Sequence, residues 1–138
     1  MLLSKTTGYG VQSLAYLARQ PESRRCGLQE IAVSESVPPV FLRKILGELR
    51  RHRLVSSVKG IHGGYALARP AAEITLWDVF SILEPDPYLD RCALSYTPCS
   101  ETAPCVLCPM WQRHRQEFFD ALKATTIASV AEGRHKVA

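Results

Sequence analysis

No apolar run in the sequence is long enough to cross a bilayer, and the first ten residues, MLLSKTTGYG, lack the hydrophobic core of a signal peptide. We therefore expect a cytoplasmic protein without a membrane partner. Internal repeats and low-complexity tracts are also missing, so nothing indicates a repeat protein or a disordered one. The sequence has no Ser/His/Asp arrangement, no phosphate-binding glycine loop and no carboxylate pair in a plausible pocket, so an enzyme is not expected.

The composition is that of an ordinary globular protein, but its charge is unevenly distributed. With 138 residues, of which 46% are hydrophobic and 22% charged, the chain can form one modest core plus an appended element. Residues 1–70 carry 11 Lys and Arg against 4 Asp and Glu, whereas residues 71–138 carry 6 against 9. The first half is therefore net +7 and the second −3, which predicts a polyanionic partner for the first half alone.

Hydrophobic periodicity predicts a mostly α-helical chain that contains one β-hairpin. We expect helices over residues 7–19 and 28–33, a third that begins near the Pro38-Pro39 pair, a fourth from a Thr75-x-x-Asp78 capping box to before Pro85, and a longer one over residues 110–124. Two β-rich runs, residues 54–58 and 65–68, flank a glycine-containing loop. Three helices followed by a hairpin is the order of a winged helix-turn-helix domain, whose second motif helix enters the DNA major groove.

The predicted third helix carries a basic face opposite its leucine and isoleucine residues. Arg43 and Lys44, near its start, are the best candidates for contacts with base edges, since arginine can bind guanine through two hydrogen bonds. Arg50 and Arg51, further along, are candidates for phosphate contacts. The alternative is that these charges form a solvated helix face, and the helix alone does not decide between the two.

The loop of the predicted wing favours DNA binding. Its segment KGIHGG, residues 59–64, places a cation beside glycines that would allow a close approach to a phosphate or to the minor groove. Together with the basic helix, this makes double-stranded DNA the expected partner. The predicted DNA-binding residues are Phe41, Arg43, Lys44, Arg50, Arg51, Lys59, His62, Gly63, Gly64 and Tyr65.

Four of the five cysteines, Cys92, Cys99, Cys105 and Cys108, fall within 17 residues in the pattern C-x6-C-x5-C-x2-C. Neighbouring prolines oppose helix formation and predict an irregular loop. In a reducing compartment such thiols favour a soft metal or an iron–sulfur cluster over structural disulfides. From spacing alone three interpretations remain, namely a structural zinc site, a redox-switched disulfide and a cluster. The fifth cysteine, Cys26, is expected to be a packing residue.

The stretches FLRKILGELRRHRLVSSVKGIHGGYALARP and ITLWDVFSILE, together with the cysteine segment, resemble the Rrf-type (IscR/NsrR/RirA-like) family of bacterial winged helix-turn-helix regulators. The most specific element is the wing signature G-x-x-G-G-Y at residues 60–65. The resemblance implies a homodimer, built by a long helix after the cysteine loop, that binds a pseudo-palindromic operator. It also implies cluster ligation by Cys92, Cys99 and Cys105, with Cys108 standing where some members place a histidine ligand. An all-thiolate set would suit either a [4Fe–4S] or a [2Fe–2S] cluster.

We therefore expect a winged helix-turn-helix domain over residues 1–84, a cysteine-rich cluster-binding loop over 85–109, a dimerisation helix over 110–130 and a tail over 131–138. The expected function is iron–sulfur-cluster-dependent regulation of transcription, most simply repression, in response to iron, cluster status, nitric oxide or redox state. The alternatives are a small iron–sulfur electron carrier, whose basic half would dock an acidic partner, and a zinc- or thiol-switched winged-helix regulator.

Overall fold

The computed structural model describes residues 3–84, 91–94, 102 and 105–133, which contain six α-helices and one two-stranded antiparallel hairpin. In chain order the elements are α1 (Lys5–Ala18), α2 (Leu28–Glu35), α3 (Pro39–Arg51), β1 (Val55–Val58), β2 (Gly64–Leu67), a 3₁₀ turn (Ala71–Glu73), α4 (Leu76–Leu83), α5 (Cys108–Ala124) and α6 (Ile127–Gly133). Three helices followed by a hairpin confirm the predicted, mostly α winged helix-turn-helix fold. Within the described residues no helix combines the length and the apolarity that a membrane span requires.

Local sequence explains where the helices begin. The Ser4 hydroxyl accepts a hydrogen bond from the Thr7 amide at 3.2 Å and so caps α1. Pro39 occupies the first turn of α3, where the N–H that proline lacks would have no partner within the helix. At α4 the predicted capping box is complete, since the Thr75 amide donates to Asp78 Oδ2 at 2.9 Å and the Asp78 amide donates to Thr75 Oγ1 at 3.2 Å.

The helix α1 is the central element of the core and packs against α2, α3, α4 and α6. Leu14 of α1, Ile31 of α2 and Leu46 of α3 are completely buried. An ion pair adds to this packing, because Arg19 donates to Glu35 at 3.0 Å and the Glu35 side chain is only 2% exposed. This ion pair connects the end of α2 to the end of α1.

The hairpin is joined to the helical body through Cys26. The Cys26 amide donates to the Tyr65 carbonyl at 2.9 Å, and the Tyr65 amide donates to the Cys26 carbonyl at 2.7 Å. Gly64 has a φ of +132°, and a Cβ there would lie 2.6 Å from the Cys26 carbonyl oxygen. At Gly63 a Cβ would collide with the carbonyl oxygen of Val58. The paired glycines of the wing signature therefore permit close backbone contacts inside the protein.

The single dimerisation helix predicted over residues 110–130 is interrupted. The helix α5 ends just before Thr125, and the chain that follows is extended and bonded to the segment that leads into α4. The Leu76 amide donates to the Thr125 carbonyl at 2.9 Å, and the Ile127 amide donates to the Ile74 carbonyl at 2.8 Å. Because these bonds need an extended backbone, the helix cannot continue through this position.

The tail predicted over residues 131–138 is wrong for residues 131–133, which belong to α6. Ile127 is completely buried and Ala131 nearly so, because α6 packs against α1. The Thr126 hydroxyl accepts a hydrogen bond from the Ser129 amide at 3.1 Å, which begins the helix. Residues 134–138 lie outside the described part of the chain, as does most of the predicted loop over residues 85–109.

We expect the substitution Gly64→Ala to destabilise the fold by about 1–3 kcal/mol, because alanine disfavours a positive φ and its Cβ would collide with the Cys26 carbonyl. Gly47→Ala is the matched control. Gly47 lies within α3 with open space around its Cβ position, so alanine should raise stability by about 0.5–1 kcal/mol. Urea unfolding followed by circular dichroism measures both changes. A Gly64→Ala variant as stable as the wild type would contradict this packing of the wing.

Candidate nucleic-acid interface and cysteine segment

The helix α3 has one buried apolar face and one exposed basic face. Leu42, Leu46 and Leu49 are completely buried against the rest of the fold. Arg43 and Lys44 are exposed, so both cations project from the opposite side near the start of the helix. In helix-turn-helix proteins this part of the recognition helix contacts base edges.

The carboxyl-terminal end of α3 is connected to the wing. Arg50 Nη1 donates to the hydroxyl of Ser57 in β1 at 3.1 Å, so this predicted phosphate contact also helps to orient the wing. Arg51 forms an exposed ion pair with Glu48 at 2.9 Å, which reduces its attraction for a phosphate. Arg51 is therefore the weaker of the two predicted contacts.

The wing exposes Lys59 and His62, whereas its glycines form contacts within the protein. Lys59 and His62 are exposed in the loop between the strands, where an external partner could reach them. Residues 63–65 instead form hydrogen bonds or pack against the core. A direct contact of residues 63–65 with DNA stays a prediction.

Exposed apolar side chains also lie in the segments that carry these basic residues. Val40 is 70% exposed and Phe41 57% exposed at the start of α3, and Ile61 is 99% exposed in the wing loop. Only Phe41 belongs to the predicted DNA-binding set. Ile61 could have been noticed in the sequence, because it is a β-branched residue in a tight turn. Gly, Asn, Asp or Pro is usual at such positions.

Three of the four predicted cluster ligands lie within the described residues, and Trp111 brings their two segments together. Cys108 begins α5, and its amide donates to the Cys105 carbonyl at 3.0 Å. Trp111 follows one turn later, and its indole Nε1–H donates to the Arg91 carbonyl at 2.7 Å. Because Arg91 directly precedes Cys92, the two ends of the cysteine segment meet at the first turn of α5.

The fourth predicted ligand, Cys99, lies outside the described residues, together with the prolines at positions 98 and 104. Within the described ranges, no three His, Cys, Asp or Glu side chains come close enough to hold a metal ion. The donors nevertheless fit an iron–sulfur cluster chemically, since thiol groups lie at both ends of the segment and those ends are held together. A complete site would require Cys99 to join them.

Cys26 is separate from this segment. Its side chain is completely buried, and its Sγ accepts a hydrogen bond from Arg24 at 3.2 Å. Burial, followed by the nearby negative charge of Glu30, raises the pKa of the Cys26 thiol. The thiol therefore stays protonated at neutral pH, which suits the predicted packing role better than metal ligation.

The apolar side chains of α5 pack against α4 of the same chain. Phe80 of α4 and Leu122 of α5 are buried together. Trp77 of α4 meets Phe119 edge to face, with ring centroids 5.1 Å apart. Trp111 also packs in this aromatic cluster. A continuous set of contacts therefore connects the cysteine segment with the winged helix domain.

The exposed basic face of α3 and the hairpin beside it define a winged helix-turn-helix DNA-binding domain. The chain belongs to the Rrf2 family, whose model, described as "Iron-dependent Transcriptional regulator", matches residues 3–133. A predicted HTH-type transcriptional regulator of Aquifex aeolicus is 36% identical over 129 residues, which are 92% of this chain and 89% of the relative. These matches confirm the resemblance and establish a transcriptional regulator rather than an enzyme.

Solved structures support the same fold. CymR, the global cysteine regulator of B. subtilis, superposes with a TM-score of 0.81 at 24% identity, covering 96% of this chain and 97% of CymR. T. potens IscR superposes with a TM-score of 0.79 at 24% identity, covering 99% of this chain and 90% of IscR. At this level of identity both likenesses concern the fold alone.

We expect Arg43→Ala to weaken binding to the preferred duplex by about 1–3 kcal/mol, the usual effect of losing a base contact. Arg51→Ala should weaken it less, because Glu48 already pairs with Arg51. Fluorescence anisotropy, with a duplex selected from a random pool by the wild-type protein, measures both affinities. If Arg51→Ala lost as much binding affinity as Arg43→Ala, Arg51 could not be the weaker of the two DNA contacts.

Proposed function

We propose that the protein is an iron–sulfur-cluster-dependent repressor that binds a double-stranded DNA operator as a homodimer. The family description names iron-dependent regulation, and the chain has four closely spaced cysteines. The observation that carries the proposal is the 2.7 Å hydrogen bond from Trp111 to the Arg91 carbonyl. This bond connects the segment of proposed ligands to the aromatic cluster that packs on the DNA-binding domain.

The proposed dimer would present two copies of α3 to one duplex. In helix-turn-helix dimers the half-sites lie about 34–36 Å apart, so the distance between the two recognition helices determines the affinity. The side of α5 that carries Arg113, Gln116 and Asp120 is exposed and is available for a partner helix. A shift of α5 relative to α4 would then change the distance between the helices.

In this proposal Cys92, Cys99, Cys105 and Cys108 hold a [4Fe–4S] or [2Fe–2S] cluster. When bound, such a cluster supplies sensitivity to iron supply, nitric oxide or redox state. Ligation by both ends of the segment would hold Arg91 against Trp111, and loss of ligation would release it. Couplings of this kind are typically about 1–3 kcal/mol, or about 5- to 150-fold in operator affinity.

A thiol-responsive regulator without a cluster is the second candidate. The same four thiols could act through disulfide formation, and CymR, a cysteine regulator, shows that this fold can serve a regulator of that kind. A structural zinc site would serve the same fold without visible colour. The electron-carrier alternative is not supported, because the family consists of transcriptional regulators.

Anaerobic reconstitution with iron and sulfide tests the cluster. The wild-type protein is expected to contain iron and acid-labile sulfide and to absorb visible light, whereas Cys92→Ser, Cys105→Ser and Cys108→Ser should lose most of this absorbance. Cys26→Ser is the matched control and should keep it, because Cys26 lies outside the cysteine segment. A colourless wild-type protein that contains zinc would overturn the cluster and favour the metal-stabilised alternative.

Trp111→Phe tests the coupling. Phenylalanine keeps an aromatic ring in the cluster but cannot donate to the Arg91 carbonyl. The variant should retain the cluster, while its ratio of operator affinities with and without cluster should fall toward one. Trp77→Phe, in the same aromatic cluster but without the bond to Arg91, should keep the wild-type ratio. An unchanged ratio in Trp111→Phe would show that this hydrogen bond does not transmit the signal.

A further inference from the structure

The wing loop combines exposed apolar side chains with positive charge. Ile61 is 99% exposed and Val58 is 49% exposed, and both lie within three residues of Lys59. A single exposed apolar residue on a protein surface needs no explanation. Ile61 lies in the loop and Val58 ends the adjoining strand β1, and two exposed apolar side chains this close to an exposed lysine indicate a surface for an external partner.

The loop is held in place, so it presents Ile61 in a defined position. The Gly63 amide donates to the Gly60 carbonyl at 3.0 Å and closes a turn with Ile61 and His62 at its centre. The base of the wing is fixed by two hydrogen bonds between Cys26 and Tyr65. A preorganised loop loses little conformational entropy when it binds, which favours the insertion of its side chains into a narrow groove.

Charge decides which partner suits this loop. Lys59 lies two residues before Ile61 and is exposed like it, so a polyanion would be attracted to this end of the wing. An apolar side chain beside a cation fits the minor groove, where phosphates line the rims and the floor is formed by base edges. Aliphatic side chains such as isoleucine are used by minor-groove-binding proteins to contact or partly unstack base steps.

We propose that Ile61 enters the minor groove beside the major-groove site of α3 and selects A·T pairs there. A G·C pair carries an exocyclic amino group on the floor of the minor groove, whereas an A·T pair does not. That amino group would prevent the branched side chain of Ile61 from reaching the floor of the groove. It would also lose its bound water without gaining another hydrogen-bond partner. Ile61 is thus a specificity-determining residue, whereas Lys59 attracts the backbone of any sequence. This inference rests on the DNA-binding part of the proposed function.

The experiment compares the wild type with Ile61→Ala on three duplexes derived from a site selected by the wild-type protein. The duplexes differ only in the pairs beside the α3 site, which are A·T, G·C or inosine·cytosine. Inosine·cytosine has the major-groove pattern of G·C but lacks the minor-groove amino group. The wild type should bind the A·T and inosine·cytosine duplexes about 10-fold more tightly than the G·C duplex, and Ile61→Ala should show no such preference.

Salt dependence separates this role from a phosphate contact. Ile61→Ala should leave the slope of log affinity against log salt unchanged, whereas Lys59→Ala should reduce it by about 0.9 and keep the preference for A·T. Because Ile61 is exposed, its substitution should not change the melting temperature. A wild-type preference retained in Ile61→Ala, or a loss of affinity that is equal on all three duplexes, would overturn the inference alone. Failure of the wild type to select any duplex would overturn the proposed DNA binding as well.

Discussion

The backbone pairing between Cys26 and Tyr65 is the constraint on which the geometry of the interface depends. It attaches the wing to the segment between α1 and α2, while Arg50 attaches the same wing to α3 through Ser57. The hairpin has only two strands, and an isolated two-stranded hairpin is marginally stable in water. These attachments fix the position of the wing relative to the recognition helix, so a bound duplex must fit both elements at once.

The aromatic cluster attaches the second half of the chain to the DNA-binding domain, as the Cys26–Tyr65 pairing attaches the wing. Trp77 and Phe80 of α4 pack against Phe119 and Leu122 of α5, so the long helix is fixed to the DNA-binding domain over its second half. Trp111 extends these contacts to the cysteine segment. A chemical event among the thiols would therefore have a short physical route to α4, which consists of packed rings and one hydrogen bond, and α4 packs in turn against α3.

The fold was largely predictable because its signals are local. The leucine spacing of α3, the Thr75 capping box and the glycine-rich wing each determine an element within a few residues of sequence. The end of α5 was not predictable, because Thr125 leaves the helix in order to bond to Leu76, nearly fifty residues earlier in the chain. For the interface, charge patterning led to the prediction of Arg43 and Lys44, whose contact with DNA stays a prediction, but it could not point to Ile61, since an apolar residue becomes informative only when its exposure is known. The pairing of Arg51 with Glu48 likewise needed the structure. The role of Trp111 was not predictable either, because its hydrogen bond to Arg91 depends on a tertiary contact that hydrophobic periodicity does not record.

The return of the chain at residues 125–127 has a mechanical consequence for α5. Its carboxyl end is tied to the strand-like segment before α4 and continues into α6, which is buried against α1. That end is therefore anchored, and a tilt of α5 about it would displace most the opposite end, which carries Cys108. A helix of 17 residues is about 25 Å long, so a tilt of only about 5° displaces its first turn by about 2 Å. The cysteines are thus located at the end of the helix that moves furthest for a given tilt.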